Sequence, residues 1–410
     1  MQNVDYLLIG GGMTSAYAAQ AIRERDSNGR IVIVGAENRK PYDRPPVSKA
    51  FLFNDAMEPG DNDSRPDEFY PDKQVELLLG VPAVAIDRTN KIVSLADGRQ
   101  FQYRKLLLAT GSGARKPSFP GADLPNVFTL RTVDDALALA KAYKSLKRAI
   151  IVGAGFLGME AASGALKRGL ETVVVETAAH PWGRFASPQL GGFMKSTYEA
   201  KGAGFCLGDE VASVAKSKTK DALSVSLKSG KTLQTDLVVA CLGAVLNVEL
   251  AQNCGLQADP RLGVVVDDHF LTDDPAIWAA GDIACFPDEV IGKRWHAEHY
   301  MNAQWQGETA GANMAGDSIA FRHVPYFFSD FLDLGMILRG DPEGWTRSRI
   351  IGDLAAGEFI ELYSYPDGRL SMGIVVSHEG DKLDPPGDTI EKAILDRAEF
   401  ESLTPAQLPI

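Results

Sequence analysis

The sequence predicts an α/β chain in which one mostly parallel, doubly wound domain is inserted into another and an α+β domain closes the C-terminus. Three observations carry this. A unit of apolar strand, glycine turn, helix, apolar strand and acid occurs twice, from Tyr6 to Glu37 and from Ala149 to Glu176. Two more apolar strands ending in glycine turns, residues 106–111 and 277–282, bracket the second copy. From about His323 the pattern turns to strands joined by a hairpin signal, Pro366-Asp367-Gly368-Arg369.

In the first copy the strand is Tyr6-Leu7-Leu8-Ile9 and the turn is Gly10-Gly11-Gly12-Met13-Thr14-Ser15. A helix to about Arg25, the strand Ile31-Val32-Ile33-Val34 and the acid Glu37 follow. In the second copy Ala149-Ile150-Ile151-Val152 leads into Gly153-Ala154-Gly155-Phe156-Leu157-Gly158. Its helix runs to about Arg168, and Thr172-Val173-Val174-Val175 ends at Glu176. Such continuous β-branched runs suit parallel strands buried on both faces. The first glycine of each turn permits the sharp bend. The second removes a side chain so that backbone N–H groups can reach a pyrophosphate. The third lets helix and strand pack closely. The helix N-terminus adds a partial positive charge. Ser15 stands at the third position of copy one, where the pattern wants Gly or Ala, and is small enough to keep the packing. Glu37 and Glu176, 27 and 23 residues past the first glycines, are placed to accept hydrogen bonds from a ribose hydroxyl pair. Two complete copies point to two Rossmann-like slots, one for FAD and one for a nicotinamide nucleotide.

The bracketing strands imply that the first domain is interrupted and resumed. The expected organisation is an FAD-binding domain over 1–113 and 246–322, an NAD-binding domain over 114–245 and an α+β domain over 323–410. The crossovers fall in the Gly-, Pro- or Asn-rich stretches 112–117 and 242–247. Thr110, Gly111, Gly281 and Asp282 at the strand ends join the candidate cofactor-binding residues, as do Arg115 and Gly243 at the crossovers.

Composition narrows the function classes. A net charge of −12 over 410 residues disfavours a nucleic-acid partner. No apolar run approaches the roughly 18 residues of a membrane span. The chain runs from Met1 almost directly into a strand, so no signal peptide is expected and a cytoplasmic enzyme is. Cys206, Cys241, Cys254 and Cys285 lack C-x-x-C spacing and read as buried free thiols of a reducing compartment. The six histidines show no ligand spacing, and no metal is expected.

Several segments together resemble the flavoprotein family of apoptosis-inducing factor and the bacterial ferredoxin reductases, which includes putidaredoxin reductase and the reductase components of aromatic dioxygenases. Pro41-Tyr42-Asp43-Arg44-Pro45-Pro46-Val47-Ser48-Lys49 resembles the family's P-Y-x-R-P-P-L-S-K. Gly153 through Glu160 resembles its G-x-G-F-x-G-x-E, and Ala279-Ala280-Gly281-Asp282 its A-A-G-D. Glu298-His299 with Asn302-Ala303 and Gln306-Gly307 resembles E-H-x-x-N-A-x-x-Q-G, and Phe328-Ser329-Asp330 its W-S-D. The likeness spans the chain, more loosely over the last 80 or so residues. It implies a glutathione-reductase-like pair of domains and specific roles. Lys49 and Glu160 meet as an ion pair beside flavin N5. Phe156 sits where nicotinamide enters, beside Leu157. Arg44 and Asp282 contact FAD, and Glu298 and His299 line the nicotinamide side. His296 stands where many members have Arg, and Phe328 lacks the hydrogen-bond donor of Trp. Read from the residues alone, Ser48 is a helix N-cap after a rigid Pro-Pro, and the Pro-rich stretch also suits a stiff surface loop.

Hydride transfer needs nicotinamide C4 held near flavin N5 in a dry slot, not a nucleophile or a general base. Many flavoproteins of this double architecture use a redox cysteine pair after the first helix. Residues 38–52 contain no cysteine, so electrons are expected to leave from the flavin edge. Three readings follow: a reductase for a small iron–sulfur protein, ferredoxin- or rubredoxin-type, which is favoured; an NADH-dependent reductase of a quinone or monodehydroascorbate; or an NADH-binding redox sensor. Glu176, with no cation before His180, predicts NADH over NADPH.

Overall fold

The computed structural model describes residues 1–217 and 222–410. The chain divides into two compact units. The first comprises Met1–Asp43, Pro59–Gly113 and Val245–His323, and the second Arg44–Glu58, Ala114–Ala244 and Val324–Ile410.

In the first unit, the strand Gln2–Ile9 pairs in parallel with Ile31–Val34 on one side and Gln100–Leu108 on the other. Val75–Leu78 extends the sheet beyond Ile31–Val34, and Ile277–Ala279 runs parallel to Gln100–Leu108. All four residues of Ile31–Val34 are buried, as expected of a parallel strand covered on both faces. The register pairs Ile9 with Val34 and Leu108, and Leu108 with Ala279. Four strands thus finish together, and Gly10, Ala109 and Ala280 leave from one carboxyl edge. That edge is where open α/β sheets bind ligands. The helix Met13–Arg23 lies against Tyr300–Ala315 at close range. A Cβ on Gly307 would stand 2.5 Å from the Thr14 carbonyl oxygen, and one on Gly311 2.4 Å from that of Ala18.

The second unit repeats the pattern. Arg148–Val152 is flanked in parallel by Glu171–Glu176 and Leu237–Ala240, with Gly204–Leu207 and Val127–Phe128 outermost. A five-stranded antiparallel sheet forms the C-terminal part, in the order Tyr326–Phe331, Leu334–Gly340, Leu370–Ser377, Glu358–Ser364, Arg347–Asp353. The expected hairpin joins Glu358–Ser364 to Leu370–Ser377. The helix Asp384–Leu395 packs on this sheet, where Ile390 covers Gly373. The segment Arg44–Glu58, which sequence order assigns to the first domain, groups with the second unit. Arg168, which caps the helix Phe156–Lys167, ties it there by donating to the Leu52 carbonyl at 3.1 Å and pairing with Asp55. Among the described residues no helix is long and apolar enough to cross a membrane.

Candidate functional site: two glycine cradles and a buried ion pair

The first cradle opens from the carboxyl edge of the first unit's sheet. Gly10 has φ +130°, and a Cβ there would lie 2.0 Å from the Ala109 carbonyl oxygen, so no other residue can make this turn. Gly12, the N-cap of Met13–Arg23, faces open space: a Cβ would meet nothing within 4 Å. The position that must admit a pyrophosphate is therefore clear, with the first N–H groups of the helix behind it. Ser15 is fully buried in the first helical turn. Thr110 and Gly111 are clasped by Asn247: the Thr110 hydroxyl donates to its carbonyl at 2.6 Å, and its amide and N–H donate to the carbonyls of Thr110 and Gly111.

Gly281 has φ +80° and crowds Thr14, so the A-A-G-D turn sits on the first helix. Its N–H donates to Gln306 Oε1 at 2.8 Å, while the Gln306 side-chain amide nitrogen is buried with no acceptor among the described residues. Buried donors are normally satisfied, and a ligand oxygen at this edge would satisfy this one. Asp282 accepts from the Ser112 hydroxyl at 2.7 Å, and Glu37 from the Tyr42 hydroxyl at 2.7 Å. Glu298 pairs with His296 at 3.0 Å, and His299 is the N-cap of Tyr300–Ala315. A carboxylate, an open glycine and an unmet donor along one edge fit a dinucleotide.

The second cradle follows the same rules more strictly. Gly153 has φ +101° and abuts the Cys241 carbonyl oxygen at 2.3 Å from a built Cβ. Gly155 faces open space, and a Cβ on Gly158 would lie 2.0 Å from the Gly153 carbonyl oxygen. Glu176 closes the cradle. Its carboxylate accepts from the Ala154 N–H at 2.6 Å, the Ala178 N–H at 2.8 Å and the Thr177 hydroxyl at 2.9 Å. Burial pushes this carboxyl up, but the donors outweigh it and hold Glu176 below the usual carboxylate range. Arg115 and Gly243 lie together: the Arg115 N–H donates to the Gly243 carbonyl at 2.9 Å.

Phe156 and Leu157 open the helix Phe156–Lys167. The Phe156 ring belongs to an aromatic group that sequence reasoning missed. Phe185 stacks on it at 4.7 Å, Trp182 lies at 5.4 Å, and Phe327 is parallel to it at 6.3 Å. Trp182 holds a left-handed φ of +59° and is buried, and its N–H donates to the Ala154 carbonyl. Left-handed backbone at a bulky residue persists only where the surroundings enforce it. With Glu176 on its N–H and Trp182 on its carbonyl, Ala154 is pinned at both peptide groups.

Lys49 and Glu160 meet in the second unit at 2.7 Å, with 14% and 6% of their side chains exposed. Ser48 is not an N-cap. It ends the short helix Pro45–Ser48, and its hydroxyl donates to Glu160 instead. The next helix, Ala50–Phe53, has Lys49 and not Ser48 at its N-cap position. Ser329 donates to the same carboxylate at 2.6 Å. The Lys49 ammonium lies 5.0 Å from the centre of the Phe328 ring, which supplies a π-face where the family's Trp also offers a donor. Arg44 donates to the Arg131 carbonyl at 2.9 Å. No pattern in the sequence marked Ser329 as a partner of Glu160, which is 169 residues away.

The four cysteines are unpaired; Cys206 and Cys285 are buried, and Cys241 and Cys254 only partly so. Burial pushes the thiols of Cys241, Cys254 and Cys285 up, away from the reactive thiolate. Asp267, Asp268 and His269 cluster at the surface. Asp267 receives the N–H groups of His269 and Leu271, and His269 bridges Asp268 and Ser318, so turn geometry accounts for the grouping.

The profile of the pyridine nucleotide-disulphide oxidoreductase family matches residues 4–307. A rhodocoxin reductase of Rhodococcus erythropolis is 34% identical over 356 residues, covering 86% of this chain and 82% of that protein. Among solved structures, a ferredoxin reductase from Rhodopseudomonas palustris superposes with a TM-score of 0.91 at 32% identity, covering 99% of this chain and 97% of that one. The reductase of a covalent putidaredoxin reductase–putidaredoxin complex superposes with a TM-score of 0.89 at 29% identity, covering 97% and 94%.

Proposed function

Because this chain belongs to the pyridine nucleotide-disulphide oxidoreductase family, we propose that it is an FAD-dependent NADH reductase that passes electrons to a small iron–sulfur protein of the ferredoxin or rubredoxin type. The observation that carries the reading is what stands in residues 38–52. Where disulfide-using flavoproteins place a cysteine pair, this chain has Ser48 and Lys49 bound to the buried Glu160. FAD, when bound, accepts a hydride as an electron pair and gives electrons up one at a time, which suits a one-electron protein acceptor.

The residues of the chain bind, orient and exclude water. Gly10, Gly12 and Ser15 would hold the FAD pyrophosphate, Glu37 the adenosine ribose, and Asp282 with Gly281, Thr110 and Gly111 the chain leading to the ring; the resemblance also gives Arg44 to FAD. Gly153, Gly155, Leu157 and Gly158 hold the NADH pyrophosphate, and Glu176 holds its ribose. Arg115 and Gly243 border that slot. Phe156 and Phe328 are assigned to the nicotinamide, and the resemblance gives it Glu298 and His299 as well. Lys49, held in place by Glu160, serves the flavin N5 edge and would favour an anionic reduced ring. We assign 1–113 and 246–322 to the FAD-binding domain, with residues 44–58 grouping with the second unit, 114–245 to the NAD-binding domain and 323–410 to an α+β domain. A cytoplasmic location accords with four unpaired thiols.

The test is stopped-flow reoxidation of the NADH-reduced holoenzyme against ferredoxins, rubredoxins, quinones and monodehydroascorbate. A protein acceptor should react fastest, with a rate that falls steeply with salt. Faster turnover with a quinone would replace this reading, and negligible turnover with every acceptor would favour a redox sensor.

A further inference from the structure

We propose that Ser48 and Ser329 are positioning residues for flavin reduction: their hydroxyls fix the orientation of the Glu160 carboxylate, and so keep the Lys49 ammonium in place. The inference rests on the reading of Lys49 and Glu160 as the pair that serves the flavin. Glu160 is 6% exposed, and a buried carboxylate met by a single cation is costly unless further donors fill its remaining acceptor sites. Here three donors from two distant segments converge on it: Ser48, Lys49 and Ser329. Both serines are buried, at 5% and 1% exposure, and neither faces solvent as an alternative partner.

Each serine adjoins a residue that touches Lys49 or is Lys49. Ser48 precedes it in the chain, so one carboxylate fixes both the base and the tip of this short segment. Ser329 follows Phe328, whose ring lies beneath the ammonium. Ser48 donates to one oxygen of the carboxylate and Ser329 to the other, so its plane is fixed from both sides. Tyr198 and Cys241 also face Glu160. Burial raises both, the Cys241 thiol to about 12, so neither brings a competing charge at neutral pH. Without the serines, the Glu160 carboxylate keeps only the Lys49 contact of these three, and the two side chains are free to turn together.

The experiment is anaerobic stopped-flow reduction of the FAD-loaded enzyme by NADH, resolving the limiting rate from the apparent dissociation constant. Ser48→Ala and Ser329→Ala should each lower the limiting rate about tenfold or more, tenfold being the lower end of what one hydrogen bond to a charged group is worth. FAD content and apparent NADH affinity should stay at wild-type values. Ser329→Thr, which keeps the hydroxyl, should restore the rate. In a Glu160→Gln background, Ser329→Ala should change the rate less than about twofold, because partners in one network are not additive. Wild-type rates in the alanine variants would overturn the proposal, as would serine effects that multiply in full with Glu160→Gln. Should an alanine variant fail to fold, the cysteine replacement, a weaker donor of similar size, takes its place: a slowed rate supports the proposal and a wild-type rate overturns it. A wild-type rate for Lys49→Ala would instead overturn the reading of the ion pair itself.

Discussion

Replacing Glu176 by Gln should shift the cofactor preference from NADH towards NADPH. The carboxylate ends the strand Glu171–Glu176 and already accepts from Ala154, Ala178 and Thr177. A carboxylate offers about four acceptor sites, so a ribose hydroxyl pair must share it with these donors. Direct attraction of NADH is therefore modest, and rejection of NADPH provides most of the discrimination. A 2′-phosphate of about two charges, roughly 5 Å from this carboxylate, is repelled by roughly 2–7 kcal/mol at effective dielectrics of about 80 to 20. Glu176 is only partly buried, so solvent screening favours the low end, about 2–3 kcal/mol or roughly 30- to 150-fold in catalytic efficiency. Alanine is the poorer probe. It strips the acceptor from two backbone N–H groups, each bond worth about 1.5–3 kcal/mol, and loosens the glycine turn as well. Gln removes the charge and keeps an acceptor. Steady-state catalytic efficiencies with both nucleotides should show a wild-type preference for NADH above about 30-fold. In Glu176→Gln the preference should fall about tenfold, with NADH efficiency changed only a few-fold. Equal efficiencies in the wild-type enzyme would refute the reasoning, as would an unchanged ratio in a well-folded Glu176→Gln.

Heat-denatured protein should release FAD, measured by chromatography; release of FMN alone would contradict the first cradle. Lys49→Ala should keep its FAD but be reduced by NADH at least about tenfold more slowly, since it removes the cation that stabilises the reduced ring. Gly158→Ala places a Cβ 2.0 Å from the Gly153 carbonyl oxygen; calorimetry should show NADH binding lost, FAD kept, and a stability loss of about 1–3 kcal/mol or more. Acid should unfold the protein partly through Glu176 and Asp236. Asp236 is pushed up by burial but held lower overall by Arg148 and the N–H groups of residues 147 and 148. Carboxyls lowered in the folded state add stability that is complete above their ordinary range near 4 and lost as pH falls through the lowered values. Melting temperatures measured from pH 7 to 3 should therefore fall below about pH 4.5, less steeply in Asp236→Asn; an identical acid limb would show that this carboxyl does not contribute.

The two fingerprints were legible in the sequence because each glycine there answers a local demand. Gly10 and Gly153 need left-handed backbone against a neighbouring carbonyl, Gly12 and Gly155 need emptiness, and Gly158 needs contact with Gly153. Ser15 shows where the demand relaxes, being buried at a position where copy two tolerates no Cβ. Strand identity was equally local, since unbroken β-branched runs have few uses except parallel strands covered on both faces. The sequence alone also excluded a cysteine pair at residues 38–52. What only the tertiary structure decided concerns partners far apart in the chain. Ser48 reads as a cap because helix signals span a few residues, yet its hydroxyl answers a carboxylate 112 residues away. Ser329, Phe185 and Phe327 carry no periodic or spacing signal, because a side chain that meets another across the fold is free to lie anywhere in the sequence. Trp182, held at a left-handed φ against the Ala154 carbonyl, belongs to the same class. Backbone geometry is set within a turn or two and leaves its trace in residue type; a hydroxyl on a buried carboxylate is set by packing and leaves none.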